Sequence, residues 1–261
     1  SSDVCSSDLY ATAQALMSGK LEVKGIMAEH FLHIPGSMEM SLKEIRRICS
    51  LMDMPETLAL EGALKAMDAE GKPEGSCASR ALVSEAMTDD PRPLFVLCQG
   101  ALTNVASAIA AQPDCASRMQ IIMIAGSNYP EGGFEFNTMN DPAAFNTVMN
   151  SKAPVWVIPE EVYSTMQVSM TELKMKVSPF GDIGRYLYDN TCAVLHRMAQ
   201  TVPADPNASA FEQALAFPNA ESWSLGDSPA VGILLMHHAG EWDNVPAPNA
   251  LEDGRYTIPD P

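Results

Sequence analysis

Basic residues are scarce in this chain. Its 261 residues include 16 Lys and Arg against 33 Asp and Glu, a formal net charge of −17. So acidic a surface repels nucleic-acid phosphate and anionic membrane, which argues against both as partners and suits neutral or cationic small molecules. Long hydrophobic runs are absent as well. None approaches the roughly 18 residues of a membrane span, and no signal peptide opens the chain. The six cysteines fall into no CxxC or other metal-binding spacing. Scattered in this way they read as reduced thiols of a cytoplasmic protein rather than a disulfide framework. No GxGxxG or P-loop occurs, which weighs against a nucleotide-binding module. His237-His238 lacks HExxH spacing, which rejects a zinc site of that kind.

What is present is enough apolar material, 46% of residues, for one large α/β domain. Residues 1–9, Ser-Ser-Asp-Val-Cys-Ser-Ser-Asp-Leu, stand apart. They show no apolar periodicity and coincide with one reading frame of a common sequencing adapter, so they are set aside as a non-native segment. The expected domain is then 10–261, incomplete at its N-terminus and possibly cut at its C-terminus. Asp3 and Asp8 receive no role, since nothing in the sequence positions them.

From Tyr10 onward short apolar strands alternate with helical segments. Strands are expected at Leu21–Ala28, Thr57–Leu60, Leu94–Cys98, Ile121–Ala125 and Val155–Ile158. Helices are expected at Tyr10–Ser18, Ser37–Met52, Cys77–Met87, Leu102–Ala111, Asp141–Asn150, Ile183–Ala199 and Asp227–His238. Lys65–Ser76 and the Pro-rich Val202–Asn207 read as loops. The alternation predicts an α/β fold, an open and mostly parallel sheet with helices on both faces.

Ligands of open α/β sheets bind outside the carboxyl ends of the strands. Gly132-Gly133-Phe134-Glu135-Phe136-Asn137 lies just beyond one such end. Read as extended chain, it places Glu135 and Asn137 on one side, a carboxylate and a carboxamide able to grip a polyhydroxylated ligand. Gly100-Ala101-Leu102-Thr103-Asn104 follows the preceding strand. Thr103 and Asn104 could offer a carbonyl oxygen to a metal or a hydrogen bond to a ligand, but taken alone the turn reads first as a helix N-cap. Asp227, ahead of Ser228-Pro229, suits a cap or a hard oxygen ligand for Ca²⁺. Trp223 reads as a pocket wall or a core residue. His30 and His33 follow a strand end, with His30 the better pocket candidate and a structural histidine the more ordinary reading.

Three of these segments, in order and in register, resemble the nucleoside hydrolase family of the inosine–uridine-preferring type. Gly100-Ala101-Leu102-Thr103-Asn104 is similar to its G-P-L-T-N turn. Glu135-Phe136-Asn137 with Asp141-Pro142-x-Ala144 is similar to its E-F-N…D-P-E-A segment. Leu225-Gly226-Asp227-Ser228-Pro229-Ala230-Val231 is similar to L-H-D-P-x-A-V. The resemblance implies a Ca²⁺-dependent N-ribohydrolase that releases base and ribose from ribonucleosides through an oxocarbenium-like transition state. By the same resemblance Asp227 is a Ca²⁺ ligand, Thr103 offers its backbone carbonyl, and Glu135 and Asn137 hold the ribose. It also implies a homodimer or homotetramer.

The chain departs from the family pattern in three places. The aspartate cluster D-x-D-x-x-x-D-D and the first strand are expected upstream of Tyr10, where residues 1–9 stand. Their absence leaves a groove at a sheet edge and little or no turnover. The histidine before the metal-binding aspartate is Gly226. Asn128 is the nearest match to an asparagine expected before Glu135. A non-catalytic or altered-specificity riboside-binding member is therefore the alternative.

Overall fold

The computed structural model describes residues 2, 5–68, 70–201, 221–236 and 240–258, with backbone alone over 198–201. The expected Val202–Asn207 loop, His237-His238 and Asp3 lie outside the described residues.

The centre is a three-stranded parallel sheet of β3 (Leu94–Cys98), β4 (Met119–Ile124) and β5 (Val155–Ile158), in that spatial order. β4 is the middle strand, and its side chains divide by the two-residue period of a strand. Ile121 and Met123 enter the main core with α3 (Cys77–Ala86), α4 (Thr103–Ala111) and α6 (Pro142–Met149). Ile122 and Ile124 point the other way, to Ile158 and to Ala230 of α10 (Ser228–Leu235). A strand apolar on both faces is what a doubly covered parallel sheet needs, and this one is. Phe145, 1% exposed, is among the largest side chains of the main core. Phe145→Ala should lower stability by about 3–4 kcal/mol by opening a cavity beneath α6. Urea unfolding measures it, and a loss below about 1 kcal/mol would show that the sheet–helix contact is not where the stability resides.

A second parallel pair, β1 (Ile26–Met27) with β2 (Ala59–Leu60), packs under α2 (Ser37–Leu51) through Ile26, Ala28, Leu42 and Ile45. The expected strand over Leu21–Ala28 shrinks to these two residues plus a bridge at Ala28, because a ladder forms only where a partner runs alongside. Between β1 and β3 no ladder forms among the described residues. A cavity of about 650 Å³ lies there, lined by Ile26, Met27, Val96, Leu97, Ala11 and Ser2. Ser2 makes a parallel bridge to Ala28: its N–H donates to Met27 O at 3.0 Å, and its carbonyl accepts from Glu29 N at 3.0 Å.

The sequence expectation fails at the start of the chain. The first helix runs over Ser6–Met17 (α1), not from Tyr10, and Leu9 is 1% exposed against Tyr10, Ile48, Leu173 and Leu187. Asp8 is equally buried. Its burial is a consequence of α1 packing on α9 (Gly181–Thr201) and α10, a tertiary contact that no local pattern announces.

Several short elements have no counterpart in the predicted alternation: α5 (Phe136–Asn140), α7 (Glu160–Tyr163), α8 (Met170–Lys176), and the antiparallel pairs β6 (Gln167–Ser169) with β7 (Ser222–Ser224) and β8 (Asn249–Ala250) with β9 (Tyr256–Thr257). Each is too brief to carry a hydrophobic period.

Candidate active site

The carboxyl ends of β3 and β4 are joined by one side chain. Asn137 Nδ2 donates to Gln99 O at 3.2 Å and to Ile124 O at 2.9 Å. Asn137 is helical, the second residue of α5, so it does not share an extended face with Glu135 as the sequence suggested. Glu135 is the N-cap of that helix. Its Oε1 accepts from Asn137 N at 3.0 Å and from the Tyr163 hydroxyl at 3.1 Å. Its Oε2 accepts from Thr138 N at 2.8 Å, Thr138 Oγ1 at 2.8 Å and Gly126 N at 3.2 Å. Burial pushes the Glu135 carboxyl up from its ordinary range, and the backbone donors of Thr138 and Asn137 pull it back. Capping won over extension here because a carboxylate just ahead of Asn137-Thr138 can collect two orphan helix N–H groups.

Tyr163 is the residue that sequence reasoning missed. It ends α7, beyond the carboxyl end of β5, and the carboxyl-edge rule was the signal that could have found it. Its hydroxyl reaches Glu135, and burial together with the Glu135 charge pushes its pKa well above the usual tyrosine range. Its ring also explains Gly226. A Cβ at that position would stand 3.0 Å from Tyr163 Cδ2, so a larger residue there requires the ring to move.

Asp227 precedes α10, but its carboxylate makes no side-chain cap bond, which overturns the capping expectation. It turns to α1, where Ser7 Oγ donates to Oδ2. Cys5, Asp8 and Asp227 each present a ligand atom, and the three lie within 4.8 Å of one another. The expectation that nothing positions Asp8 is thereby corrected: α1 brings it to Asp227. Two buried carboxylates facing one another fit a divalent cation. The Cys5 thiol is the departure, because a hard ion such as Ca²⁺ prefers about six to eight oxygens and thiolates suit softer metals.

Thr103 is not an N-cap either, since Leu102 holds that position without a side-chain bond. Its hydroxyl donates to Asp141 Oδ2 at 2.6 Å and meets His30 Nε2 at 2.7 Å. Asp141 caps α6 through Ala144 N at 2.9 Å, the role an Asp-Pro pair at a helix start favours, and it also holds Met67 N at 2.9 Å. His30 is 1% exposed, and burial lowers its pKa to about 4, with His33 adding to the shift, so the ring is neutral at neutral pH. Asn104 is a staple. It accepts from Ala63 N at 2.9 Å and Ser76 Oγ at 2.7 Å and donates to Ala28 O at 3.0 Å. Gly62 is required beside it, because a Cβ there would lie 1.8 Å from Ala28 O.

The two remaining candidates are placed differently. Trp223 sits in β7 opposite Val168 and packs against the Leu9–Leu173–Leu187 cluster, a core position. Asn128 is exposed in the loop after β4, with a left-handed φ of 32° and its N–H on Glu161 at 2.9 Å.

A parallel sheet with helices on its faces, and polar and acidic side chains gathered beyond its strand ends, defines an α/β protein of the class whose ligands bind at the carboxyl edge. The chain belongs to the inosine-uridine preferring nucleoside hydrolase family, whose model matches residues 2–253. It is 26% identical over 202 residues to the pyrimidine-specific ribonucleoside hydrolase RihA of Salmonella typhi, covering 68% of this chain and 63% of that protein. RihA of Klebsiella pneumoniae (strain 342) is 25% identical over 64% of this chain and 61% of its own length. The chain thus spans a little under two thirds of the curated relatives it matches. Among solved structures, a purine-preferring ribonucleoside hydrolase from Gardnerella vaginalis superposes with a TM-score of 0.77 at 19% identity, over 98% of this chain and 86% of the other. An inosine-guanosine nucleoside hydrolase gives 0.71 at 17% identity, over 98% and 84%. At such identities the structural likeness speaks for the fold.

Among the described residues no helix is long and apolar enough to cross a membrane.

Proposed function

We propose that the protein binds ribonucleosides at the carboxyl edge of its sheet and hydrolyses their N-glycosidic bond, releasing base and ribose with the help of Ca²⁺. Family membership over residues 2–253 carries the reading. The paired carboxylates of Asp8 and Asp227 support the metal. In this reading Asp227, Asp8 and the Thr103 carbonyl hold the ion. When bound, the ion supplies positive charge that anchors ligand hydroxyls and activates a nucleophilic water. Asn137 faces the ribose, held in place by the two strand-end carbonyls it bridges. Glu135 acts chiefly by fixing α5 beneath the ligand, since five protein donors already occupy its oxygens. With Ser7 beside Asp227, Gly226 ahead of it and a thiol in the cluster, turnover by this chain is slow or absent. A homo-oligomeric cytoplasmic enzyme remains part of the proposal.

Titration calorimetry with inosine, uridine and D-ribose, with and without Ca²⁺, tests the proposal alongside an assay for released ribose. Calcium-dependent binding of a nucleoside is expected. No binding of any of the three in either condition would sink it. The packing of Tyr163 over Gly226 favours a second reading, a riboside-binding member without ordinary turnover. Tight binding with no ribose release, even at high enzyme concentration, selects that one.

A further inference from the structure

His30 is buried at 1% exposure, and its Nδ1 has no hydrogen-bond partner. Its other nitrogen is committed. Asp141 Oδ2 already accepts from Met67 N, so it acts as an acceptor, and the single Thr103 proton goes to it at 2.6 Å. Thr103 Oγ1 must then accept, and His30 Nε2 must carry the hydrogen across their 2.7 Å contact. The Asp141–Thr103–His30 chain therefore fixes the tautomer, leaving Nδ1 as a bare lone pair. A buried acceptor without a donor is costly to keep, so its presence calls for an explanation.

A second orphan lies close by in the bonding network. Asn140 is fully buried, and its Nδ2 also lacks a partner. Its Oδ1 accepts from Leu32 N at 2.7 Å, two residues beyond His30, and its chain neighbour is Asp141. Leu32 and His33 are both left-handed, with φ of 51° and 52°. Such conformations cost energy in residues other than glycine and mark places where the surroundings over-determine the backbone. Here the Asn140 clamp holds the bend that directly follows His30.

We propose that His30 is a ligand-hydroxyl acceptor, its Nδ1 taking the hydrogen of a sugar hydroxyl, while Asn140 Nδ2 donates to an oxygen of the same polyol. The inference rests on the riboside reading above and adds to it the residues that select a polyhydroxylated ligand. An unprotonated nitrogen and an amide N–H are complementary to neighbouring hydroxyls, one donating and one accepting. They do not suit a phosphate, which has no hydrogen to give Nδ1 when ionised.

The test joins ¹⁵N-histidine NMR with calorimetry, both with D-ribose and inosine in the presence of Ca²⁺. His30→Phe, which keeps an aromatic ring without either nitrogen, assigns the His30 signals by their disappearance. In the unliganded protein His30 is expected as the Nε2–H tautomer. Saturation with ribose should move its Nδ1 resonance upfield, as an accepted hydrogen bond does. His30→Phe should weaken ribose and inosine binding about tenfold, about 1.4 kcal/mol. Asn140→Asp keeps the acceptor for Leu32 N but replaces the Nδ2 donor with a carboxylate oxygen beside Asp141, and a loss at least as large is expected. If the wild type binds ribose while its Nδ1 resonance stays fixed, Nδ1 is solvated by a buried water and the inference is wrong. Unchanged affinity in both variants overturns it equally and leaves the parent reading intact. Failure of the wild type to bind either probe overturns both. The NMR arm reads the folded wild type and uses a variant only for assignment; should His30→Phe not fold, His30→Gln supplies the assignment, so one variant that does not fold cannot shelter the proposal.

Discussion

Replacing Glu135 by alanine is expected to lower stability by about 4 kcal/mol, among the largest losses a single substitution in this chain should cause. Five donors converge on its carboxylate from α5, from the turn after β4 and from Tyr163. Alanine leaves three backbone N–H groups and two hydroxyls to find other partners in a site where Glu135 itself is 1% exposed. A buried unsatisfied donor costs roughly 1–3 kcal/mol, and partial relaxation reduces the sum. Glu135→Gln keeps one carbonyl oxygen but turns an NH₂ toward donors, so an intermediate loss of about 2 kcal/mol is expected. Urea denaturation of the three proteins decides. A residue acting mainly as a ligand grip would give variants of near wild-type stability and lost nucleoside binding. That result would return Glu135 to the role its sequence context first suggested.

Addition of Ca²⁺ should raise the melting temperature of the wild type, and Asp227→Ala should abolish the rise. An ion at a hundredfold excess over its dissociation constant stabilises by about 2.7 kcal/mol. In a domain of this size that corresponds to roughly 5–10 °C. Asp8→Ala should behave likewise, because the two carboxylates face one another across the same gap. Cys5→Ser tests the thiol separately. Retention of the calcium response identifies an oxygen site, and its replacement by a zinc response that vanishes in the same variant identifies a thiolate site. Any nucleoside hydrolysis that the wild type shows should disappear with Asp227→Ala. A calcium shift that survives both aspartate substitutions would place the metal elsewhere.

Most of the central sheet was legible because its strands are short, almost wholly apolar runs, the middle one buried on both faces. Leu94–Cys98 and Val155–Ile158 match their predicted bounds, and β4 differs by one or two residues at each end. Asp141 capping α6 was equally readable, since Asp-Pro ahead of an apolar segment leaves few alternatives. Asp227-Ser228-Pro229 looked the same, yet the side chain went to Ser7. The local pattern favours a cap only until a distant group offers a better bond, and α1 supplied one. Glu135 and Asn137 failed in the opposite direction: an apparent extended pair became a capped helical turn, because five residues cannot display a period.

The sequence by itself determined the alternation of strands and helices, the acidic surface, and the segments at the strand ends that align with a known family. Those are local or additive properties, carried by residues near one another in the chain. The tertiary structure alone decided that Asp8 meets Asp227, that Tyr163 fills the space over Gly226, and that Asp141 orients His30 through Thr103. These contacts join positions from 38 residues apart, Thr103 and Asp141, to 219 apart, Asp8 and Asp227. They depend on which helix covers which face of the sheet, and that choice is set by the packing of the whole core.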